Sequence, residues 1–316
     1  MTLIAGESIS KQFNDQNIFD ELSFSVNEAD RIGLVGPNGI GKTTLFEIIV
    51  GRLTPDSGQL VRAKDCRIGY LKQEFAGDQQ IPLFNYVSAA REDLLSLKTE
   101  METAEGELQR YTESAPLLEK LGDIQHRFEA AGGYDFEAEL KFILLGLGFE
   151  EDRFYNSLSS FSGGEKNRAS LARILAGRSN LILLDEPTNH LDIDSTIWLE
   201  EYLGGLGQAY IIVSHDHTFL NNAVNKVWDL SGGKIEQYFN GFERYLDERK
   251  ERQNQLQHLY KHQQEEIKRI EDFIRRNMAG QKTKQAQSRV KYLSKIKRIE
   301  LPVSENTTAA FSLASG

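Results

Sequence analysis

The sequence predicts an α/β protein: a parallel sheet around a phosphate-binding loop, interrupted by a helical insert and followed by an antiparallel α-helical hairpin. Three observations carry this. Short apolar runs, IGLV (32–35), LILLD (181–185) and YIIVS (210–214), alternate with helix-forming segments, as in a parallel sheet covered by helices. A glycine-rich loop, GPNGIGKTT, joins the first of these runs to the helix LFEIIVGRL. From Gly241 to about residue 298 the chain is almost all helix-forming and charged, with apolar residues near heptad spacing.

Composition sets the bounds. The 316 residues suffice for one large domain or two modest ones, and 40% apolar with 27% charged is ordinary for a globular protein. No apolar run approaches the ~18 residues of a membrane span. The opening MTLIAGESISKQF lacks the basic-then-apolar order of a signal peptide. The single Cys66 excludes a disulfide framework within the chain and reads as a small apolar residue in a reducing compartment. A cytoplasmic protein without a membrane segment is expected. The charge is uneven. The chain carries 37 Lys/Arg against 47 Asp/Glu, a net of −10, yet Lys268–Arg298 holds eleven Lys/Arg against Glu271 and Asp272, a net of +9.

Residues 1–75 read as short strands with glycine-rich turns. Residues 84–142 form a polar helical insert in which Leu94, Leu95, Leu97, Met101, Leu108, Leu117, Leu118 and Leu121 recur at amphipathic spacing, broken at Gly132-Gly133. Strand LILLD, a helix from about Ser195 and strand YIIVS follow. Beyond Gly241, Leu256, Tyr260, Ile267, Ile270 and Ile274 make one narrow seam, and Ala286, Val290 and Leu293 a second. Met278-Ala279-Gly280 between them reads as the hairpin turn.

The loop Gly36-Pro37-Asn38-Gly39-Ile40-Gly41-Lys42-Thr43-Thr44 fits G-x-x-x-x-G-K-[ST] in its required strand–loop–helix setting. Its glycines let backbone N–H groups curl around phosphate oxygens, and the helix start adds its dipole. Lys42 would reach the terminal phosphates and the Thr43 hydroxyl would ligate Mg²⁺. A glycine-rich turn with a surface lysine is the plainer alternative. In LILLDEPTNHLD, a buried strand ends in two carboxylates: Asp185 to hold Mg²⁺, and Glu186 to polarise a water for in-line attack. Phe161-Ser162-Gly163-Gly164-Glu165 opens the helix KNRASLARILAG; it is an anion nest, a capping box of Ser162 with Glu165, or both. His215, after the strand YIIVS, would hydrogen-bond a γ-phosphate or serve structure alone.

In this order and spacing, the phosphate loop, SGGE, DEPTNHLD and SHD resemble an ATP-binding cassette over residues 1–240. The resemblance implies further roles. Phe13 in SKQF would stack on adenine, Gln73 in YLKQEF would sense Mg²⁺ and water, Asp192 would fall in the D-loop, and His215 would be the switch histidine. Ser162, Gly163, Gly164 and Glu165 form the signature, whose Ser162 and Gly164 would contact the γ-phosphate held by an opposite cassette. Each site would therefore need two cassettes.

The wording DEPTNHLD, FSGGEKNR, GGYDFEAE and SHDHTFL, followed by a charged helical segment, is similar to the ABC-F family. That resemblance implies two cassettes in one chain, no membrane domain, and action on ribosomes. The linker, here 241–300, would reach P-site tRNA and rRNA near the peptidyl-transferase region. In the stretch FIRRNMAGQKTKQAQSRVKYL, Arg275, Arg276, Lys282, Lys284, Arg289 and Lys291 are the candidate RNA contacts. Phe161 stands where similar sequences carry Leu, and His217 where they carry Arg. Residues 301–316 resemble the opening of a second cassette, so a partner cassette or a head-to-tail homodimer is expected. Two rival readings share the nucleotide motifs: the ATPase subunit of a membrane transporter, and a DNA-handling ATPase whose basic hairpin grips branched DNA.

Overall fold

The computed structural model describes residues 1–14, 16–72, 78–110, 115–277 and 283–296. Gln73, Lys282, the turn at Met278-Ala279-Gly280 and residues 301–316 lie outside these. The chain divides into two compact units, Met1–Phe242 and Glu243–Gly316.

The first unit begins with β1 (Thr2–Phe13), β2 (Gln16–Asn27), β3 (Arg31–Val35), α1 (Lys42–Val50), β4 (Ser57–Arg62) and β5 (Ile68–Leu71). The helices α2 (Leu83–Ser88), α3 (Glu92–Arg110), α4 (Ala115–Ala130) and α5 (Gly133–Gly146) follow. Then come α6 (Gly163–Leu175), β6 (Leu181–Asp185), α7 (Ile193–Gly205), β7 (Ala209–Val213), α8 (His217–Ala223), β8 (Lys226–Ser231) and β9 (Lys234–Phe239).

Six strands form one sheet in the order β5-β6-β7-β3-β8-β9, parallel except at the edge strand β9. β6 and β7 are buried along their whole length, which is why their sequences are apolar runs rather than alternations. The carboxyl ends of β3, β7 and β6 are neighbours, and ligands of open parallel sheets bind at such ends.

The amino-terminal part departs from the short strands expected of it. β1 and β2 each run 12 residues and pair antiparallel in a separate sheet, β2-β1-β4. Their register shifts near Ser8 and Glu21, both at positive φ, and these shifts break the alternation that reveals a long strand. Phe19, Leu22, Phe24 and Val26 of β2 join Leu45, Phe46, Ile48 and Ile49 of α1 and Trp228 of β8 in one core. Phe24 meets Trp228 at 5.4 Å between ring centroids, a contact that ties the two sheets together. Cys66 is buried in the same core as a free thiol.

In the insert, α3 packs on α4. Leu94 and Leu97 are buried as expected, but Leu95 and Leu118 face outward, and Ala104, Ile124 and Phe128 complete the seam instead. Gly132 takes φ 76 at the start of α5, and a side chain on Gly133 would lie 2.5 Å from the Phe128 ring, so this Gly-Gly pair turns the chain and admits the ring. His217, at the start of α8, packs edge-on against Phe242 with centroids 5.2 Å apart.

The second unit contains the length of α9 (Phe242–Asn277) beyond its first residue, together with α10 (Thr283–Leu293). Tyr292 donates to Glu266 at 3.4 Å, and the Arg289 guanidinium lies 3.9 Å from the centre of the Phe273 ring. The two pairs advance along α9 as they retreat along α10, so the helices run antiparallel. Ile267 and Ile270 are buried, whereas Val290 stays 41% exposed.

Candidate functional site

The loop between β3 and α1 is fixed by backbone geometry. Gly41 takes φ 112 as the residue before α1, and a side chain there would lie 2.4 Å from Ile18. Only glycine fits that position. The Lys42 ammonium folds back over the loop and donates to the carbonyls of Gly36 at 2.7 Å and Pro37 at 3.1 Å. Across the sheet, the Thr43 hydroxyl donates to Asp185 Oδ2 at 3.0 Å, joining the loop to the end of β6.

Glu186 follows in a left-handed conformation, φ 53, while its N–H donates to the Val213 carbonyl at 2.8 Å and prolongs the β6–β7 pairing. For a non-glycine residue this conformation costs about 1–3 kcal/mol. The Glu186 Oε1 lies 3.5 Å from His215 Nε2, and its Oε2 accepts from the His215 N–H at 3.3 Å. The carboxylate is buried and the imidazole mostly exposed. Burial raises the pKa of both carboxyls. For Asp185 the Thr43 hydrogen bond and Lys42 oppose the rise; for Glu186, His215 opposes it and Asp185 adds to it.

These groups border one cavity of about 410 Å³. Its lining includes Asn38, Gly39, Gly41, Lys42, Thr43, Thr44, Asp185, Glu186 and His215, together with Asn189 and Val213, for which the sequence reading assigned no role. Asn189 lies three residues after Glu186, within the run LILLDEPTNHLD. Among the described residues, Phe13, Gly36, Pro37, Ile40, Ser162, Gly163, Gly164, Glu165 and Asp192 do not line this cavity. Phe13 presents an exposed ring at the end of β1, with Lys11 5.6 Å from its centre.

The signature turn forms its own small structure. Ser162 caps α6: its hydroxyl accepts from the Glu165 N–H at 3.3 Å, and Glu165 Oε2 accepts from the Ser162 N–H at 2.8 Å, a complete capping box. Burial would raise the Glu165 pKa, but the Ser162 backbone and hydroxyl groups and Arg153 outweigh it and hold it at about 2. Asp192 caps α7, accepting from the Ser195 N–H at 2.8 Å, and Ser195 keeps its carboxyl below the usual range.

Of the candidate RNA contacts, Arg275, Arg276, Lys284, Arg289 and Lys291 are exposed. Arg275 pairs with Asp272 on its own helix. Among the described residues no helix is long and apolar enough to cross a membrane.

Comparison with known proteins places this geometry. A family model described as ABC transporter matches residues 19–189, and a second of the same description matches 228–312. A putative ATP-binding protein of Bacillus subtilis, YdiF, is 35% identical over 98% of this chain and 49% of its own length. ABC transporter F family member 4 of Arabidopsis thaliana is 35% identical over 83% of this chain and 37% of its own. The chain thus spans about half the length, or less, of relatives of this kind. The solved structure of an ATP-binding subunit of an ABC transporter superposes with TM-score 0.56 at 18% identity, over 75% of this chain and 90% of that one. A dimeric ATP-binding cassette bound to ADP and Pi superposes with TM-score 0.54 at 18% identity, over 75% and 98%. The chain belongs to the ABC transporter family as an ATP-binding cassette ATPase, with F-family members among its relatives.

Proposed function

We propose that this chain is the amino-terminal cassette and linker of an ABC-F-type ATPase that works on the ribosome in the cytoplasm. The observation that carries the catalytic part is the Thr43–Asp185 hydrogen bond with Glu186 held against His215 across the same cavity. In this reading Gly36–Thr44 cradles the phosphates, Lys42 leaves its loop carbonyls for the β/γ-phosphates, and Glu186 accepts a proton from the attacking water. His215 holds Glu186 in place and meets the γ-phosphate. Gln73 attends the water, and Phe13 stacks on the base. The Thr43 hydroxyl and Asp185 carboxylate form an all-oxygen donor pair with a charge that burial disfavours, which suits Mg²⁺. When bound, Mg²⁺ would neutralise phosphate charge; Thr43, Asp185 and Gln73 are the groups to hold it.

Residues 1–240 would be the cassette, with 84–142 its arm-like insert, 241–300 the linker and 301–316 the start of a second cassette. Ser162, Gly163, Gly164, Glu165 and Asp192 would complete a site on the facing cassette, supplied by the rest of a longer chain or by a head-to-tail second copy. The exposed Arg275, Arg276, Lys284, Arg289 and Lys291, with Lys282, would contact tRNA and rRNA phosphates.

Co-sedimentation tests the reading. The Glu186→Gln chain, loaded with ATP, should pellet with ribosomes and release when ATP is removed. Recovery with an integral membrane protein instead would identify a transporter subunit. Preference for branched DNA over tRNA and rRNA in competition would identify a DNA-handling ATPase.

A further inference from the structure

An anion nest that contains its own carboxylate is self-defeating unless that carboxylate is neutralised and turned away. The signature turn is such a nest, and Glu165 is its third residue after the cap. Arg153, in the short turn Glu151–Arg153 that precedes it, meets both needs. Its Nη1 lies 2.6 Å from Glu165 Oε1, leaving Oε2 to hold the Ser162 N–H. Its guanidinium carbon lies over the Phe161 ring, 4.4 Å from the ring centre. Phe161 in turn packs edge-on against Phe149 at 5.8 Å, and Arg168 of α6 lies 5.1 Å from the Phe149 ring centre while donating to the Leu147 carbonyl at 2.8 Å. Charged and aromatic groups thus connect Arg153, Phe161, Phe149 and Arg168 beneath the turn. A leucine at 161 would offer no π face to the guanidinium.

We propose that Arg153 is the positioning residue of the signature. It holds Glu165 away from the space in front of Ser162 and Gly164, and it cancels the charge that would repel an incoming phosphate. The Ser162 hydroxyl accepts from the Glu165 N–H, and its own proton, which here favours the Glu165 carboxylate, would turn to that phosphate. This rests on the composite-site reading above, in which the signature serves the facing cassette.

Mixing two variant chains isolates the effect. A Lys42→Ala chain lacks its own phosphate site but offers a signature; a Ser162→Arg chain binds ATP but offers none. Their mixture has one working composite site and should hydrolyse ATP faster than either alone. Adding Arg153→Ala to the Lys42→Ala chain should lower the mixture's rate at saturating ATP by roughly tenfold, the scale of one charge-assisted hydrogen bond. The ATP concentration for half-maximal rate should hold, since the phosphate loop belongs to the other chain. Adding it to the Ser162→Arg chain should change nothing, because that signature is already blocked. A folding defect would lower the rate from either chain, and equal losses in the two arrangements would overturn the proposal. So would an unchanged rate in both. If the mixture with native Arg153 shows no gain, the composite-site reading itself fails, and this role for Arg153 with it.

Discussion

At the scale of single residues, Glu186 is where backbone strain, burial and charge meet. Its left-handed φ turns the carboxylate toward His215 instead of along the strand, a placement no local pattern announces. Glu186→Gln keeps the side chain's size, so nucleotide binding by the loop should persist while hydrolysis falls about 10²–10⁴-fold. Equilibrium binding and single-turnover assays measure the two separately; unchanged turnover would move the base elsewhere. The same variant has a stability signature. Burial raises the folded-state pKa of Glu186 above the glutamate value of 4.5, so the folded chain holds its proton longer than the unfolded one. Stability contributed by this group is therefore present below about pH 4.5 and lost as pH rises through the folded pKa. Glutamine removes that loss. The variant's gain in Tm over the parent should be larger at pH 7 than at pH 4, and calorimetry showing the reverse would contradict it. The identities of Lys42, Thr43, Asp185 and Glu186 were legible because their spacing is local. The Arg153–Glu165 pair was not, because an arginine 12 residues upstream of a capping glutamate carries no spacing rule.

At the scale of elements, the helical hairpin separates packing from charge. Ile267 and Ile270 supply its buried seam, while Lys284 and Lys291 point outward. Neutralising Lys282, Lys284, Arg289 and Lys291 together should leave helix content by circular dichroism nearly intact. With about five phosphate contacts, the slope of log K for tRNA against log[salt] is expected at roughly −3.5 to −4.5 and should flatten by several units in the variant. An unchanged slope would reduce the hairpin to a spacer. Arg289 is the residue to watch for stability, since it also covers Phe273. Both helices of the hairpin and the helical insert were legible from periodicity. The faces within the insert were less so: Leu95 and Leu118 satisfy the spacing but point to solvent, because only the α3–α4 packing decides which stripe is covered.

At the scale of the whole molecule, Ser162 and Gly164 stand outside the lining of the chain's own phosphate-loop cavity, and in the composite-site reading they serve a facing cassette. One copy alone should be a slow ATPase. Activity per molecule should rise with chain concentration if copies pair head-to-tail, and steady-state assays over a hundredfold concentration range would show it; a flat profile excludes that pairing. The parallel sheet was legible because its buried strands are continuous apolar runs. The antiparallel sheet of β1, β2 and β4 was not, since the β1–β2 register shifts within the strands and β4 comes to β1 from far along the chain.

The contact between Phe24 and Trp228 gives the molecule a built-in optical probe. The chain has two tryptophans: Trp228, 1% exposed between the two sheets, and Trp198 on α7, which stacks on Tyr202 at 5.0 Å. Replacing Trp198 with Phe would leave emission from the sheet junction alone. That light should be blue-shifted in the folded protein and move to the red in one step with loss of helical ellipticity if the sheets come apart only on global unfolding. A red shift that precedes the ellipticity change would show that the antiparallel sheet lets go first.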